Sequence, residues 1–190
     1  MVSSDAELNH WLQKVWEALE FGSSFSRHPF HFPVLTTFNG RQPVGRTVVL
    51  RESSQASRQL GIYTDIRSVK VNQIRKFPDV GLVFWDMQEG IQVRVQGTAS
   101  LRVPTKSIRT IWEQLKPESK LNYRTRLSPG TPVTHYQDAY QEVIPEAMEN
   151  LGIIDVLITE IDWLKLSVDG HLRAQWLWSD SRFQGTWVVP

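Results

Sequence analysis

Basic and hydroxyl side chains lie at the ends of neighbouring strand-like runs in the first half of the chain. Arg46, Arg51 and Lys70 can donate charged hydrogen bonds, and Thr64 and Ser68 can donate hydroxyl hydrogen bonds near a turn. A dianionic phosphate needs several such donors to converge, and arginine offers two parallel N–H groups. Each residue alone is more often a solvated charge at a strand end. Their convergence is what predicts an anion-binding corner suited to a phosphate ester.

A glutamine interrupts a strand that is otherwise apolar and basic. Gln92 stands in the run IQVRVQG, and a buried amide at this position would need hydrogen-bond partners. A ring that alternates carbonyl and N–H groups, such as an isoalloxazine, would supply them. The alternative is a surface glutamine on the polar face of an antiparallel strand, and the pattern alone favours that alternative.

Other kinds of catalytic site have little support in the sequence. The chain has no cysteine, which excludes disulfides and thiolate metal ligands. It contains no G-x-S-x-G, H-E-x-x-H or phosphate-binding P-loop motif and no glycine-rich dinucleotide signature. Carboxylates are scattered without a pair that could be assigned as acid and base. We predict no metal site.

The elements that would position these residues alternate between strands and helices. A helix over 4–20 follows from the apolar spacing, with Gly22 as its stop. A second helix begins after Ser68 and has Val69, Ile74 and Phe77 as its apolar positions. Further helices are predicted over 104–115 and 138–151, separated by a polar segment over 118–136. The predicted strands are 34–38, 44–52, 60–64, 80–85, 91–102, 153–161, 163–168, 172–178 and 186–189.

Strand follows strand through turns, which favours an antiparallel sheet over parallel crossovers. A closed barrel with peripheral helices is expected because it removes exposed sheet edges. The length of 190 residues suits one domain over 1–190, with the first helix packed on the barrel.

Composition limits the partners. The net charge of +1 gives no overall field for nucleic acid or a membrane surface, and we predict neither as a partner. No apolar run is long enough to cross a bilayer, and the N-terminus does not resemble a signal peptide. We therefore expect a cytoplasmic protein. The eight tryptophans indicate large buried surfaces or an interface.

Several short motifs together resemble the pyridoxamine 5′-phosphate oxidase family. They are RTVVLR, YTDIRSVKVNQI followed by a proline and GLVFW, and QVRVQG, in order over 46–97. A weaker likeness extends to HLRAQWLW and the terminal proline. The resemblance implies an FMN-binding split β-barrel, antiparallel and Greek-key-like with peripheral helices. It also implies a homodimer with FMN at the subunit interface.

The resemblance also implies which residues contact FMN. Lys70 would bind the phosphate, and Arg67 would replace a family arginine that is Val69 here. Gln92 would meet the flavin ring from the partner chain. The complete implied set is Arg46, Thr47, Val48, Val49, Leu50, Arg51, Tyr63, Thr64, Arg67, Ser68, Lys70, Gln92 and Gln175.

The substrate side of the family pattern is only partly present. The positions implied are Trp112, Lys116, Lys120 and Arg173, where the family has a different set of side chains. This departure favours an FMN-dependent oxidoreductase of unknown small-molecule substrate over an authentic pyridoxamine 5′-phosphate oxidase. A flavin carrier without catalysis and a structural protein with an aromatic interface are the remaining alternatives.

Overall fold

The computed structural model describes residues 4–103, 106–140 and 142–190, which include four α-helices and nine strands. The helices are α1 (Ser4–Ser24), α2 (Val69–Lys76), α3 (Lys106–Gln114) and α4 (Pro117–Arg124). Short 3-10 turns cover Pro29–His31, Tyr136–Tyr140 and Met148–Asn150. The strands are β1 (Val34–Phe38), β2 (Pro43–Thr47), β3 (Leu50–Ser54), β4 (Gln59–Asp65), β5 (Asp79–Asp86), β6 (Ile91–Arg102), β7 (Leu151–Lys165), β8 (Leu172–Ser179) and β9 (Arg182–Trp187).

One long strand, β7, joins the two parts of the sheet. It pairs with β6 along most of its length, with β4 over its first half and with β8 over its second half. The sheet runs β2-β1-β5-β6-β7-β4-β3, with β8 and β9 added beside β7, and all these pairings are antiparallel. This is the split antiparallel barrel that was expected. The two strands predicted over 153–168 are this single strand.

The predicted strand over 44–52 is in fact two strands. Val48 and Val49 separate β2, which pairs with β1, from β3, which pairs with β4. The chain therefore passes from one end of the strand order to the other, and the backbone N–H of Val48 donates to the carbonyl of Pro33 at 2.9 Å. Local alternation of side chains cannot show this change, because it depends on which strand each segment pairs with.

The first helix is longer than predicted and passes through Gly22 without stopping. A Cβ at Gly22 would lie 2.8 Å from the Cβ of Phe30, so this glycine permits close packing of the turn at Pro29–His31. Trp16 and Leu19 on the same helix are fully buried against the barrel. No helix within the described residues is long and apolar enough to cross a membrane.

Helix α2 buries a different face from the one predicted. Val71 and Ile74 are buried, whereas Val69 and Phe77 are exposed. Ser68 occupies the predicted N-cap position, but its side chain makes no capping hydrogen bond. The hydroxyl of Ser68 contacts Lys70 and Thr64 instead.

The predicted helix over 138–151 is wrong within the described residues. The segment forms two 3-10 turns, and Val143 makes an isolated bridge with Thr125. Ile144 and Arg124 exchange hydrogen bonds, which hold the segment extended just before Pro145, a residue without an N–H.

The predicted 104–115 helix is found over Lys106–Gln114, and positions 104 and 105 lie outside the described residues. Residues 117–124 of the polar segment form α4.

Candidate functional site

A cationic corner forms where β2, β4 and α2 meet, and we define it by Arg46, Thr64, Ser68, Lys70 and Gln73. The ammonium group of Lys70 donates to the hydroxyl of Thr64 at 3.1 Å and to that of Ser68 at 3.3 Å. The two hydroxyls are 3.4 Å apart. Three side chains that the sequence predicted as phosphate donors are therefore in mutual contact.

Arg46 reaches the same corner from β2. Its Nη1 donates to the hydroxyl of Thr37 at 2.6 Å, and its Nη2 donates to Oε1 of Gln73 at 3.1 Å. The Thr37 hydroxyl donates to the same Gln73 oxygen at 2.6 Å. Gln73 lies one turn after Lys70 on α2, so the helix orients both cations.

Neither cation has an acidic partner. Among the described residues, no carboxylate lies within ion-pair distance of Arg46 or Lys70. Burial lowers the pKa of Lys70, the charge of Arg46 lowers it further, and Asp65 opposes the shift. Burial also lowers the pKa of Arg46. Partly buried cations without counter-charge are costly, and a bound anion would remove that cost.

The N-terminus of α2 adds to this positive potential. Ser68 is its N-cap and is buried, so the partial positive charge of the first helical turn lies beside Lys70. Helix N-termini of this kind bind phosphate groups through backbone N–H groups. The donor set therefore fits the phosphate of FMN.

Arg67 is close to the corner but is fully occupied by other contacts. Its Nε and Nη2 donate to the Asp65 carboxylate, with the shortest distance 2.6 Å from Nη2 to Oδ2. Its Nη1 donates to the carbonyls of Thr125 and Arg126, and Nη2 also reaches the carbonyl of Tyr123. All five N–H groups thus have acceptors. The geometry does not support the expectation that Arg67 replaces the family arginine at Val69.

The remaining residues of the RTVVLR motif, 47–51, lie partly in the core and partly on the surface. Val48 and Leu50 are buried, so only their backbone atoms can face a ligand. Thr47 is exposed at the end of β2, and Val49 is half-buried in the break between strands. Arg51 is exposed, and its guanidinium carbon lies 5.9 Å from the ring centroid of Tyr63.

Tyr63 and Trp112 border one small apolar cluster beneath α3. The cluster is built on Ile108, Leu151 and Ile153 and is separate from the main barrel core. Burial raises the pKa of Tyr63, with Glu52 contributing next.

The other predicted substrate positions lie near Trp112. The ammonium group of Lys120 is 5.5 Å from the Trp112 ring centroid, and Lys116 is the exposed N-cap of α4. Burial raises the pKa of neighbouring Tyr123 to about 12. The structure thus groups Trp112 and Lys120 and leaves Lys116 on the surface.

A second polar cluster lies on the outer face of the sheet and contains the remaining predicted residues. Arg173 and Gln175 on β8 both donate to the carboxylate of Asp162 on β7. Arg94 on β6 donates to the same carboxylate at 2.7 Å. Gln92 lies two residues from Arg94 and is half-buried on the same face, because the alternating residues Val93 and Val95 point into the core.

Sequence reasoning missed four of these residues. Thr37, Gln73, Arg94 and Asp162 organise the two clusters but were not predicted as site residues, although Gln73 and Arg94 lie within the quoted motifs. Gln73 follows Lys70 at helical spacing, which is a usable signal. Asp162 matches no motif, and one of its partners, Arg94, lies on a strand distant in sequence.

Comparison with known proteins agrees with this arrangement. A family model described as "Pyridoxamine 5'-phosphate oxidase, FMN-binding domain" matches residues 5–103. A relative from Arabidopsis thaliana, named pyridoxine/pyridoxamine 5′-phosphate oxidase 2, is 25% identical over 171 residues, which cover 85% of this chain and 86% of the relative.

Solved structures share the fold. A pyridoxamine 5′-phosphate oxidase-related, FMN-binding protein from Nostoc punctiforme superposes with a TM-score of 0.78 at 20% identity, covering 95% of this chain and 97% of that one. PhzG from Burkholderia lata, solved with tetrahydrophenazine-1-carboxylic acid, gives 0.68 at 15% identity, covering 100% and 94%. The family match spans more than half of the chain, and the residues of the cationic corner fit the cofactor that its description names. The chain therefore belongs to the pyridoxamine 5′-phosphate oxidase family of FMN-binding domains, and FMN is its cofactor.

Proposed function

We propose that this protein is an FMN-dependent oxidoreductase that works as a homodimer on a small-molecule substrate. The observation that carries the proposal is the cationic corner, where Arg46 and Lys70 lie together without a carboxylate partner among the described residues. An anionic cofactor group would complete this corner. FMN, when bound, supplies the electron transfer, so the protein needs no strong acid or base of its own.

The residues of the corner would hold the FMN phosphate. Lys70 and Arg46 supply charge, and Thr64 and Ser68 supply hydroxyl donors at distances already set by their mutual hydrogen bonds. Gln73 keeps Arg46 directed to the corner. The exposed Arg51 and the backbone of the break between β2 and β3 are the proposed neighbours of the flavin ring.

The homodimer is proposed from the face on which Gln92 lies. Its neighbours on that face include apolar side chains that are 39–55% exposed, namely Val34, Trp85 and Leu177. Exposed apolar side chains grouped on one face are typical of an interface. A second copy would cover this face and bring its own Gln92 and Gln175 to the flavin bound at the first copy's cationic corner.

The proposal is tested with the purified protein and FMN. We expect a yellow protein, quenching of flavin fluorescence on titration, and a dimer in sedimentation at micromolar concentration. The bound flavin should be reduced by a donor and reoxidised by dioxygen or another acceptor. A colourless protein that takes up no FMN would overturn the proposal, whereas a flavin that binds but cannot be reduced would favour the carrier alternative.

Authentic pyridoxamine 5′-phosphate oxidase activity is the second candidate. It is favoured by the contact between Lys120 and Trp112 and by the apolar cluster that Trp112 shares with Tyr63, a residue of the proposed flavin site. Release of hydrogen peroxide on addition of pyridoxamine 5′-phosphate distinguishes the two.

We also propose that residues 1–190 form a single domain and that the protein is cytoplasmic.

A further inference from the structure

A buried carboxylate lies on the outer face of the sheet, where side chains are normally solvated. Asp162 is 3% exposed and accepts hydrogen bonds from three side chains. Nη2 of Arg94 donates at 2.7 Å, Nη2 of Arg173 at 2.8 Å and Nε2 of Gln175 at 2.7 Å. Nε of Arg173 adds a contact to the other carboxylate oxygen at 3.3 Å. The carboxylate is therefore saturated by donors from two neighbouring strands.

Strand register places this cluster next to the proposed flavin contacts. Asp162 is directly opposite Arg94 on one side and Gln175 on the other. Directly paired residues are about 5 Å apart, and residues two positions along lie on the same face. Gln92 is two positions from Arg94, and Arg173 is two positions from Gln175. The cluster and Gln92 thus form one continuous polar surface.

The contact between Asp162 and Gln175 fixes the orientation of the amide. Nε2 is the donor group, so it must face the carboxylate, and Oε1 must face away from it. Within the part of the chain that the structure describes, no hydrogen bond reaches Oε1. A glutamine held in this way presents an acceptor, not a donor, to whatever covers the face.

The charge of the cluster is also defined. Burial would favour a neutral Asp162, but hydrogen bonds from Arg173, Gln175 and Arg94 outweigh it and hold the pKa below its ordinary value. The carboxylate is therefore ionised at neutral pH. Two guanidinium groups against one carboxylate leave the cluster with an excess positive charge.

We propose that Asp162 is a positioning residue that fixes Gln175 as a hydrogen-bond acceptor for the flavin bound by the partner subunit. This inference rests on the proposed function, since it requires FMN in a shared site. Asp162 itself does not touch the flavin. It acts through Gln175, whose free oxygen suits a ring N–H group.

A double-mutant cycle on FMN affinity tests the inference. Asp162→Asn offers Gln175 either an amide oxygen or an amide nitrogen, so the orientation is no longer fixed. We expect the Kd of this variant for FMN to rise about fivefold, which corresponds to the loss of about one hydrogen bond. The Kd of Gln175→Ala should rise by a similar factor. The double variant should bind no worse than either single variant, because both remove the same interaction. A merely structural role of Asp162 would give additive losses.

A charge-matched control lies on the same strand and face. Glu160→Gln removes one negative charge two residues from Asp162, and Glu160 makes no hydrogen bond or ion pair through its side chain within the described residues. Its Kd for FMN should stay within about twofold of wild type. An unchanged Kd in Asp162→Asn, or an equal rise in Glu160→Gln, would overturn the inference.

Unpaired guanidinium groups could also prevent Asp162→Asn from folding. Combining it with Arg94→Gln restores the wild-type net charge of the cluster and still leaves Gln175 without its orienting carboxylate, so the fivefold loss should persist in that folded variant. FMN binding by the combined variant as tight as that of the wild type would contradict the inference. A wild-type protein that does not bind FMN would instead refute the proposed function, which keeps the two failures distinct.

Discussion

Arg46 and Gln92 lie on opposite faces of the same sheet. Arg46 pairs with Leu35, and the register continues through Leu82 to Val95, all three of which are fully buried. Gln92 is on β6 with Val95, but at a position of the other parity, so its side chain points outward. One chain therefore cannot bring both side chains to one ligand, and a site that uses both needs two chains.

Mixed dimers should reveal this sharing. We expect homodimers of Arg46→Gln and of Gln92→Ala each to bind FMN weakly. In a mixed dimer, one of the two sites lacks both side chains and the other is intact. Random mixing makes half of the dimers mixed, so about one quarter of all sites should recover wild-type affinity. Flavin fluorescence titration of the two variants before and after mixing measures this fraction.

Recovery depends on subunit exchange, so the controls concern the dimer itself. Each variant alone, taken through the same exchange, should recover no tight sites. Exchange can be followed separately by labelling one variant. Complete exchange without any tight sites would show that Arg46 and Gln92 do not serve one flavin.

Lys70 should strengthen FMN binding while lowering the stability of the apoprotein. Lys70→Met removes a partly buried ammonium group that has no acidic partner among the described residues. We expect the Kd for FMN to rise about 30-fold, equivalent to about 2 kcal/mol for a hydrogen bond to a charged group. The apoprotein should become more stable by roughly 0.5–1 kcal/mol, as is common when a functional residue is removed. Urea unfolding of the apoprotein measures the second effect.

Lys76 is a suitable control for this variant. It lies in the last turn of the same helix and is exposed. Lys76→Met should leave FMN affinity unchanged and should not stabilise the apoprotein. If Lys70→Met and Lys76→Met behave alike, the cationic corner is not the phosphate site.

FMN affinity should fall at alkaline pH through Lys70. Burial lowers the pKa of this ammonium group in the apoprotein, and a bound phosphate would raise it again. Between these two pKa values binding takes up a proton, so affinity decreases as pH rises. Between the lowered pKa of Lys70 in the folded apoprotein and its ordinary pKa in the unfolded chain, the apoprotein gains stability with pH, because the unfolded chain holds the proton more tightly. The measurement is Kd against pH, starting above pH about 6, where the phosphate is a dianion.

Arginine at position 70 provides the matched comparison, because its guanidinium stays charged over this range. The Kd of Lys70→Arg should therefore vary less with pH than that of the wild type. An identical alkaline decline in both proteins would assign the titration to another group, such as the flavin or a tyrosine.

The sequence predicted the strands and the corner because both are local patterns. Thr64, Ser68 and Lys70 lie within seven residues, so a strand followed by a short helix is enough to bring them together. The turn between β1 and β2 is equally local, because the side-chain oxygen of Asn39 accepts hydrogen bonds from the backbone N–H groups of Arg41 and Gln42. These features depend on short-range geometry that side-chain type encodes.

Features that depend on distant partners could not be predicted. The break at Val48 exists because β2 and β3 lie at opposite ends of the strand order, and the role of Asp162 depends partly on Arg94, which is distant in sequence on β6. Gly22 was misread because its function is a close approach to Phe30, which has no local signature. Each error concerns tertiary packing that overrides local preference.

Arg67 should be important for stability and unimportant for FMN. Its guanidinium binds Asp65, which is 6% exposed, and holds the backbone of Thr125 and Arg126. Arg67→Ala leaves that carboxylate buried without its partner, so we expect a loss of about 3 kcal/mol in the free energy of unfolding. The Kd for FMN, measured where the variant is folded, should change by less than about twofold. Arg126→Ala is the control, because its ion pair with Glu142 is exposed and should contribute under about 1 kcal/mol. A fall in FMN affinity as large as that of Lys70→Met would restore Arg67 as a phosphate ligand, since all five of its N–H groups would then have to leave the acceptors they now occupy.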